Sequence, residues 1–141
     1  MKFKPLTTGE EWIWIVERTH INGTQDSQGI VAYDRRGIHA ICVADGFTSD
    51  SCCVHFAIDN PMAIRAGFFN KIADHLYITC ARERLFGTVP SNNAKALKLD
   101  KHIGFKEVAR VPHGMGTGVD TVVLSMDKAD CRWITVKSEA A

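Results

Sequence analysis

His55 is the side chain best suited to move a proton. It lies within a strand-like run, residues 52–58, where successive side chains alternate between the two faces, so it points away from Val54 and Phe56. An imidazole exchanges protons near neutral pH, as a general base must. A buried, hydrogen-bonded structural histidine is the alternative.

Two more polar side chains bound a glycine-rich turn between the last two strand-like runs. They are His113 at its start and Asp120 just after it. Either side chain could recognise or deprotonate a substrate. Both could equally shape the turn, because polar side chains in such positions commonly bond to the local backbone.

The cysteines and histidines predict neither disulfides nor a metal site. The chain has five cysteines, an odd number, and contains no CxxC pair. Its six histidines are scattered, and none is spaced from a cysteine as in a zinc finger. We interpret the adjacent Cys52 and Cys53 as small buried strand residues, because a free cysteine is usually buried.

Composition indicates a globular domain. Hydrophobic residues make up 45% of the 141 residues and charged residues 23%, with a net charge of +1 and no basic run. A nucleic-acid partner is therefore not expected. The first five residues lack the apolar segment of a signal peptide, and no run of about 18 apolar residues predicts a membrane span. We expect a cytoplasmic protein with no membrane partner.

The elements that position these residues follow from apolar periodicity and from turn residues. Thr8 and Glu11 form a capping box that opens the first helix. The pattern predicts a single α/β (α+β) domain over residues 1–136 and a flexible tail over 137–141. The predicted order is strand 2–6, helix 12–19, strands 30–33, 38–44 and 52–58, helix 62–81, strand 85–89, helix 93–102, and strands 106–111 and 121–126. The tail over residues 127–141, which holds Trp133, Ile134 and Val136, is expected to add a strand or a contact surface.

Residues 89–105 combine the end of a strand with a capped helix. Asn93 suits the N-cap, where its side chain accepts from exposed backbone N–H groups. Ala96 is small, so another molecule can approach the helix there. Gly104 permits a left-handed exit and Phe105 fills the core. An ordinary strand–helix–strand unit is the alternative.

The same segment resembles the motif V-x-x-x-N-x-x-A-x-x-L-Y-x-x-x-G-F of the GNAT superfamily of N-acyltransferases. The order of elements around it is also that of the family. The resemblance implies a GNAT fold, with a mixed, mostly antiparallel central sheet flanked by helices and two splayed central strands. It implies an enzyme that transfers an acyl group directly from acetyl-CoA to an amine acceptor, without a metal. Six positions agree, namely Val89, Asn93, Ala96, Leu99, Gly104 and Phe105.

Residues 59–62 and 118–120 are similar to the short GNAT proteins encoded by bacteriophages. Family members normally build one wall of the acceptor site from two N-terminal helices, whereas one helix is predicted here. A small amine, a large peptide acceptor, or a wall supplied by the second subunit of a homodimer would each fit.

The resemblance also implies cofactor-binding residues. Asn93 and Ala96 would contact the pantetheine arm, and the backbone of Ile58 and Asn60 would polarise the thioester carbonyl.

The family's pyrophosphate loop, Q/R-x-x-G-x-G/A, aligns with residues 62–67, where only Gly67 fits. Met62 stands at the first position, Ala66 lies next to Gly67, and Arg65 replaces the central glycine. Arg65 could bind phosphate by its charge, or it could be a solvated helix residue.

The resemblance to the GNAT family points less directly to the catalytic residues than to the cofactor-binding ones. Family bases commonly lie on the central strands, which favours His55, and the loop of His113 and Asp120 borders the substrate cleft. Asp100 stands where the family often has the tyrosine that protonates the leaving thiolate. An aspartate could donate a proton only if its pKa were raised, and it could instead pair with a nearby lysine. The alternative function is a GNAT-fold binding protein with impaired catalysis.

Overall fold

The computed structural model describes residues 1–136, so the tail predicted over 137–141 lies outside the described residues. The elements follow one another in nearly the predicted order. They are β1 (Lys2–Pro5), α1 (Gly9–Thr19), β2 (Gln28–Asp34), β3 (Gly37–Asp45), β4 (Ser51–Ile58), α2 (Met62–Arg65), α3 (Phe68–Ala73), a π-helical turn (Asp74–Thr79), β5 (Arg84–Pro90), α4 (Ala94–Ile103), β6 (Lys106–Val111), β7 (Thr121–Asp127) and a 3₁₀ turn (Lys128–Asp130).

The strands form one sheet in the order β1-β2-β3-β4-β5-β7-β6. β4 and β5 are parallel, and every other neighbouring pair is antiparallel. The crossover between the two parallel strands carries α2 and α3, as parallel pairing requires. The prediction of a mixed, mostly antiparallel sheet flanked by helices is confirmed.

The two faces of the sheet are covered by different helices. On one face, Ile15 of α1 packs against Val31, Ile41 and Val43. On the other face, α3 and α4 bury the larger core, which includes Phe68, Ile72 and Ile103 together with alternate residues of β3, β4, β5 and β7. A side chain of β4 therefore points either to α1 or to α3 and α4.

The start of α1 confirms the predicted capping box. The Glu11 N–H donates to the Thr8 hydroxyl at 3.2 Å, and the Thr8 N–H donates to the Glu11 carboxylate at 3.1 Å. The Lys4 ammonium lies 3.0 Å from the same carboxylate. These contacts tie α1 to β1 at the edge of the sheet.

The predicted continuous helix over residues 62–81 is wrong. α2 has a single turn, α3 begins only after Gly67, and a π-helical turn follows. Gly67 has a φ of 106°, a left-handed conformation that glycine adopts without strain and that interrupts the helix. Within residues 1–136, no helix is long and apolar enough to cross a membrane.

After β7 ends at Asp127, the described part of the predicted tail forms no strand, but it makes the contact surface that was the other prediction. The indole N–H of Trp133 donates to the Ile103 carbonyl at 2.8 Å. The Trp133 ring centroid lies 5.6 Å from that of Phe69. The segment therefore fastens α4 to α3.

Candidate active site

A gap opens in the middle of the sheet. β4 and β5 pair only at their first residues, where Cys52 lies opposite Leu85 and Cys53 opposite Phe86. Beyond these residues β4 stays paired with β3 and β5 with β7, so residues 54–58 and 87–90 diverge. Gly87 lies where they part, since a Cβ there would come within 2.9 Å of the Val54 carbonyl oxygen. The splayed central strands predicted from the motif are confirmed.

Two backbone N–H groups of β4 face this gap. Because the Asp59 N–H donates to the His39 carbonyl at 2.9 Å, alternate N–H groups of β4 point to β3. Those of Ile58 and Phe56 therefore point away from β3, into the gap. Such donors can polarise a carbonyl group. The sequence analysis did not identify Phe56 as a backbone donor, although its N–H points the same way as that of Ile58, two residues along the strand.

Asn60 differs from Ile58. Its N–H donates to the His39 carbonyl at 3.2 Å, and its side-chain oxygen accepts from the Met62 N–H at 3.0 Å. Both groups are used to shape the chain between β4 and α2. Asn60 is therefore less suited than Ile58 to donate to a thioester carbonyl.

One stripe of α4 borders the gap. Asn93 is the N-cap, and its side-chain oxygen accepts from the Ala96 N–H at 3.1 Å. Ala96, Asp100 and Ile103 follow at helical spacing on the same side of the helix. Ile103, at the end of this stripe, lines a small apolar cavity together with Val54 and Phe56 of β4. The stripe therefore faces β4 across the gap.

Asp100 is the one acidic residue of this stripe. The residue is only 9% exposed, and its carboxyl group forms no ion pair with any residue in the described part of the chain. Burial raises the pKa of the Asp100 carboxyl to about 7. The alternative that it pairs with a surface lysine is wrong. Near neutral pH, an appreciable fraction of this carboxyl group carries a proton that it can donate.

His55 lies on the α1 face of β4 and is held by Asp45. The two are 3.2 Å apart, from imidazole Nε2 to carboxylate Oδ1, and Asp45 is only 8% exposed. A carboxylate only accepts, so Nε2 of a neutral imidazole carries the hydrogen and Nδ1 is left as the basic atom. The sequence analysis did not identify Asp45 as the partner of His55. The short connection between β3 and β4 sets the register of these antiparallel strands and could have indicated it.

A third polar side chain joins this pair. Cys53 lies directly opposite Asp45 in the β3–β4 register and on the same face as His55. Polar atoms of the three side chains all lie within 4.8 Å of one another. Burial, and then the Asp45 carboxylate, raise the pKa of the Cys53 thiol to about 11.

His113 and Asp120 lie in the loop between β6 and β7, and both bond within it. The His113 Nδ1 accepts from the Gly118 N–H at 2.8 Å, and the Asp120 carboxylate accepts from the His113 N–H at 3.2 Å. The Asp120 N–H donates to the Ser91 hydroxyl at 2.8 Å. Because Ser91 directly follows β5, this contact holds the loop beside the open end of the gap.

Residues 62–67, the phosphate-loop segment, fold as a helical turn rather than an open loop. Their backbone donors bond locally, so few can turn outwards to an anion. The N–H groups of Met62, Ala63, Ile64, Ala66 and Gly67 donate to Asn60, Asn60, Pro61, Met62 and Ile64, respectively.

A basic groove of about 1000 Å³ lies beside this segment. Arg65 lines it from α2, and Arg35 and Arg36 line it from the β2–β3 turn. None of the three arginines forms an ion pair within residues 1–136. At this end of the site, a phosphate would be bound by arginine side chains rather than by backbone N–H groups.

Several solved structures with the same architecture are named as acetyltransferases. The spermidine/spermine N-acetyltransferase SpeG from Vibrio cholerae is 11% identical, with a TM-score of 0.72 over 91% of this chain and 92% of that one. A Desulfovibrio desulfuricans protein assigned to the GNAT family is 11% identical, with a TM-score of 0.70 over 90% and 98%. Campylobacter jejuni PseH, in complex with acetyl coenzyme A, is 16% identical, with a TM-score of 0.60 over 84% and 79%.

No protein-family model matches the sequence, and no curated protein matches it. At these identities, the structural similarity establishes the fold and not the activity. The fold is that of the GNAT acetyltransferases, as residues 89–105 predicted.

Proposed function

We propose that the protein is an acyl-CoA-dependent N-acyltransferase, with acetyl-CoA as donor and an amine as acceptor. The gap between β4 and β5 carries this proposal. It exposes strand-edge backbone groups to which the amides of a pantetheine arm can bond as an added strand would. Asn93 and Ala96 would contact that arm from α4.

The transfer we propose is a direct displacement. The amine attacks the thioester carbon, the C–N bond forms, and the C–S bond to the pantetheine sulfur breaks. The N–H groups of Ile58 and Phe56 stabilise the negative charge on the carbonyl oxygen. His55 accepts the amine proton at Nδ1 while Asp45 holds its other nitrogen.

Asp100 is the proposed acid for the leaving thiolate. Its position on the inward stripe of α4 and its pKa of about 7 suit a carboxyl group that gives up a proton at neutral pH. It would thereby perform the role of the tyrosine that many GNAT proteins have at this position.

The phosphates of the donor are assigned to the basic groove. Arg65 would be the main ligand beside Ala66 and Gly67, and Arg35 and Arg36 would add charge. The loop of His113 and Asp120 would border the acceptor. SpeG is named for spermidine and spermine and PseH was solved with acetyl coenzyme A, which supports an amine acceptor and an acetyl donor in general terms.

A binding protein of this fold with impaired catalysis is the second candidate. The local bonding of the N–H groups in residues 62–67 favours it, because it removes the backbone cradle that would hold a pyrophosphate.

Thermal denaturation with increasing acetyl-CoA, followed by assays of thiol release with a panel of amines, distinguishes these candidates. A ligand at about a hundredfold over its Kd should add roughly 3 kcal/mol to the free energy of unfolding. Stabilisation with thiol release supports the transferase, and stabilisation without release for any amine favours the second candidate. No stabilisation by acetyl-CoA, propionyl-CoA or CoA would reject the transferase and leave the second candidate.

A further inference from the structure

The side chains of Asp45, Cys53 and His55 form a compact set of three different metal-ligating groups. Asp45 and Cys53 are direct cross-strand partners, and His55 lies two residues further along β4 on the same face. The His55 Nε2 and Asp45 Oδ1 atoms are 3.2 Å apart, and one ligand atom from each of the three side chains lies within 4.8 Å of the other two. Tetrahedral zinc, with bonds of about 2.0–2.3 Å, separates its ligand atoms by about 3.3–3.8 Å. Only a modest movement of side chains would bring all three atoms onto one ion.

From this arrangement we propose that Asp45, Cys53 and His55 bind a zinc ion, with the fourth position open to solvent. The spacing of cysteines and histidines along the chain predicts no such site, because the residues meet only through the pairing of β3 with β4. This proposal does not rest on the proposed acyl transfer, since binding needs neither donor nor acceptor.

The types of ligand atom in these three side chains favour zinc over calcium or magnesium. Thiolate and imidazole are ligands of zinc and its neighbours in the first transition row, whereas calcium and magnesium prefer oxygen ligands alone. Binding to zinc would release the Cys53 thiol proton, and the divalent ion would offset the adjacent negative charges of the thiolate and the Asp45 carboxylate.

The scaffold also suits a metal site. The three residues lie on two adjacent paired strands, so the backbone holds them without a flexible loop. The side chains of Asp45 and His55 are 12% and 22% exposed, which leaves access for an ion from solvent. Three protein ligands with an open fourth position are typical of reactive or regulatory zinc sites rather than closed structural ones.

Zinc binding would compete with the hydrogen bond between His55 and Asp45. A zinc ion on its Nε2 replaces the hydrogen bond to Asp45, and both residues then become ligands. Bound zinc and the Asp45-held imidazole are mutually exclusive states of the same two residues.

Cobalt substitution tests the site directly. Metal-free protein is titrated with Co²⁺, and near-ultraviolet absorption is recorded for thiolate-to-cobalt charge transfer. Zn²⁺ affinity is then measured by competition with a chromophoric chelator. We expect a charge-transfer band at one equivalent that added Zn²⁺ removes.

Cys53→Ser and Asp45→Asn are the test variants, and Cys80→Ser is the matched control. Cys80 is also partly buried and its sulfur lies 3.6 Å from an imidazole, that of His75. Cys53→Ser should abolish the band, and each test variant should weaken zinc binding at least about tenfold. Cys80→Ser should change neither.

Three results would overturn the proposal. They are the absence of a charge-transfer band in the wild-type protein, a band that survives Cys53→Ser, and a band lost with Cys80→Ser instead. The wild-type titration is decisive by itself if either test variant fails to fold, as circular dichroism would show.

Discussion

Backbone N–H groups are available to a ligand in the gap between β4 and β5. In the phosphate-loop segment that follows β4, most of them are already hydrogen-bonded within the protein. In the gap, the N–H groups of Ile58 and Phe56 point away from β3 towards a ligand. In residues 62–67, five N–H groups bond to nearby carbonyl and amide oxygens. A ligand can therefore bind backbone at the first place, but must depend mainly on side-chain charge at the second.

This difference indicates how affinity for a coenzyme should be distributed. Buried or partly buried backbone donors in a preformed gap lose little entropy on binding. Exposed arginines lose side-chain freedom and are screened by salt. We expect the pantetheine arm to contribute most of the affinity, and the phosphates to contribute a smaller, salt-dependent part.

The largest expected effect comes from filling the gap. Ala96→Phe places a ring on the inward stripe of α4, so acetyl-CoA affinity should fall by about a hundredfold or more, or about 2.7 kcal/mol. Calorimetric titration measures it. Lys98→Phe, on an exposed position of the same helix, is the matched control and should bind normally. Equal loss in both variants would place the coenzyme elsewhere.

Removal of the proposed base should affect turnover and leave binding intact. His55→Gln should lower kcat by about a hundredfold, because a positioned base commonly contributes that much. His75→Gln is the control, since His75 bonds Gln28 and packs outside the gap. Stabilisation by acetyl-CoA should persist in both variants. Unchanged kcat in His55→Gln would remove His55 as the base.

Asp100 should make stability depend on pH. Its pKa of about 7 in the folded protein exceeds the 3.8 of an ordinary aspartate, so the folded state binds more protons between these values. Stability from this residue is fully present below about pH 4 and is lost as pH rises through about 7. Asp100→Asn should remove that loss and raise the free energy of unfolding at pH 8 by a few kcal/mol, at about 1.4 kcal/mol per pKa unit.

Denaturant unfolding from pH 4 to pH 8 checks this prediction. Asp50→Asn serves as a control, because the Asp50 side chain is an exposed carboxyl, unlike that of Asp100. If wild type and Asp100→Asn have the same pH dependence, Asp100 is ionised in the fold and cannot be the acid.

The smallest effect is expected at the phosphate-loop segment. Arg65→Ala should weaken acetyl-CoA binding only about three- to tenfold, or about 1 kcal/mol, and the loss should shrink at high salt. Lys98→Ala, an exposed cation outside the groove, is the control. A loss as large as that of Ala96→Phe would reverse the proposed distribution of affinity.

Local patterns in the sequence were enough to predict most of the sheet. The capping box at Thr8, the N-cap at Asn93 and the alternation in β4 depend on neighbouring residues, and each is present. The helix over 62–81 was mispredicted because apolar spacing continues through Gly67, whereas its left-handed backbone is set by how the chain packs.

The candidate site was less accessible from sequence, because it is built by pairing between strands. Asp45 meets His55 through the register of β3 with β4, which a single strand does not reveal. Asp100 was visible at its motif position, but its raised pKa depends on how deeply α4 packs. Local bonding in residues 62–67 likewise depends on a helical turn that the missing glycines only suggested.

A crystal structure of the protein with bound acetyl-CoA would show directly whether the coenzyme enters the gap. We expect a pantetheine arm between β4 and β5, with the thioester carbonyl oxygen within hydrogen-bonding distance of the Phe56 or Ile58 N–H and the phosphates beside Arg65. A coenzyme bound outside this gap, or a gap that stays empty when coenzyme is bound elsewhere, would contradict it.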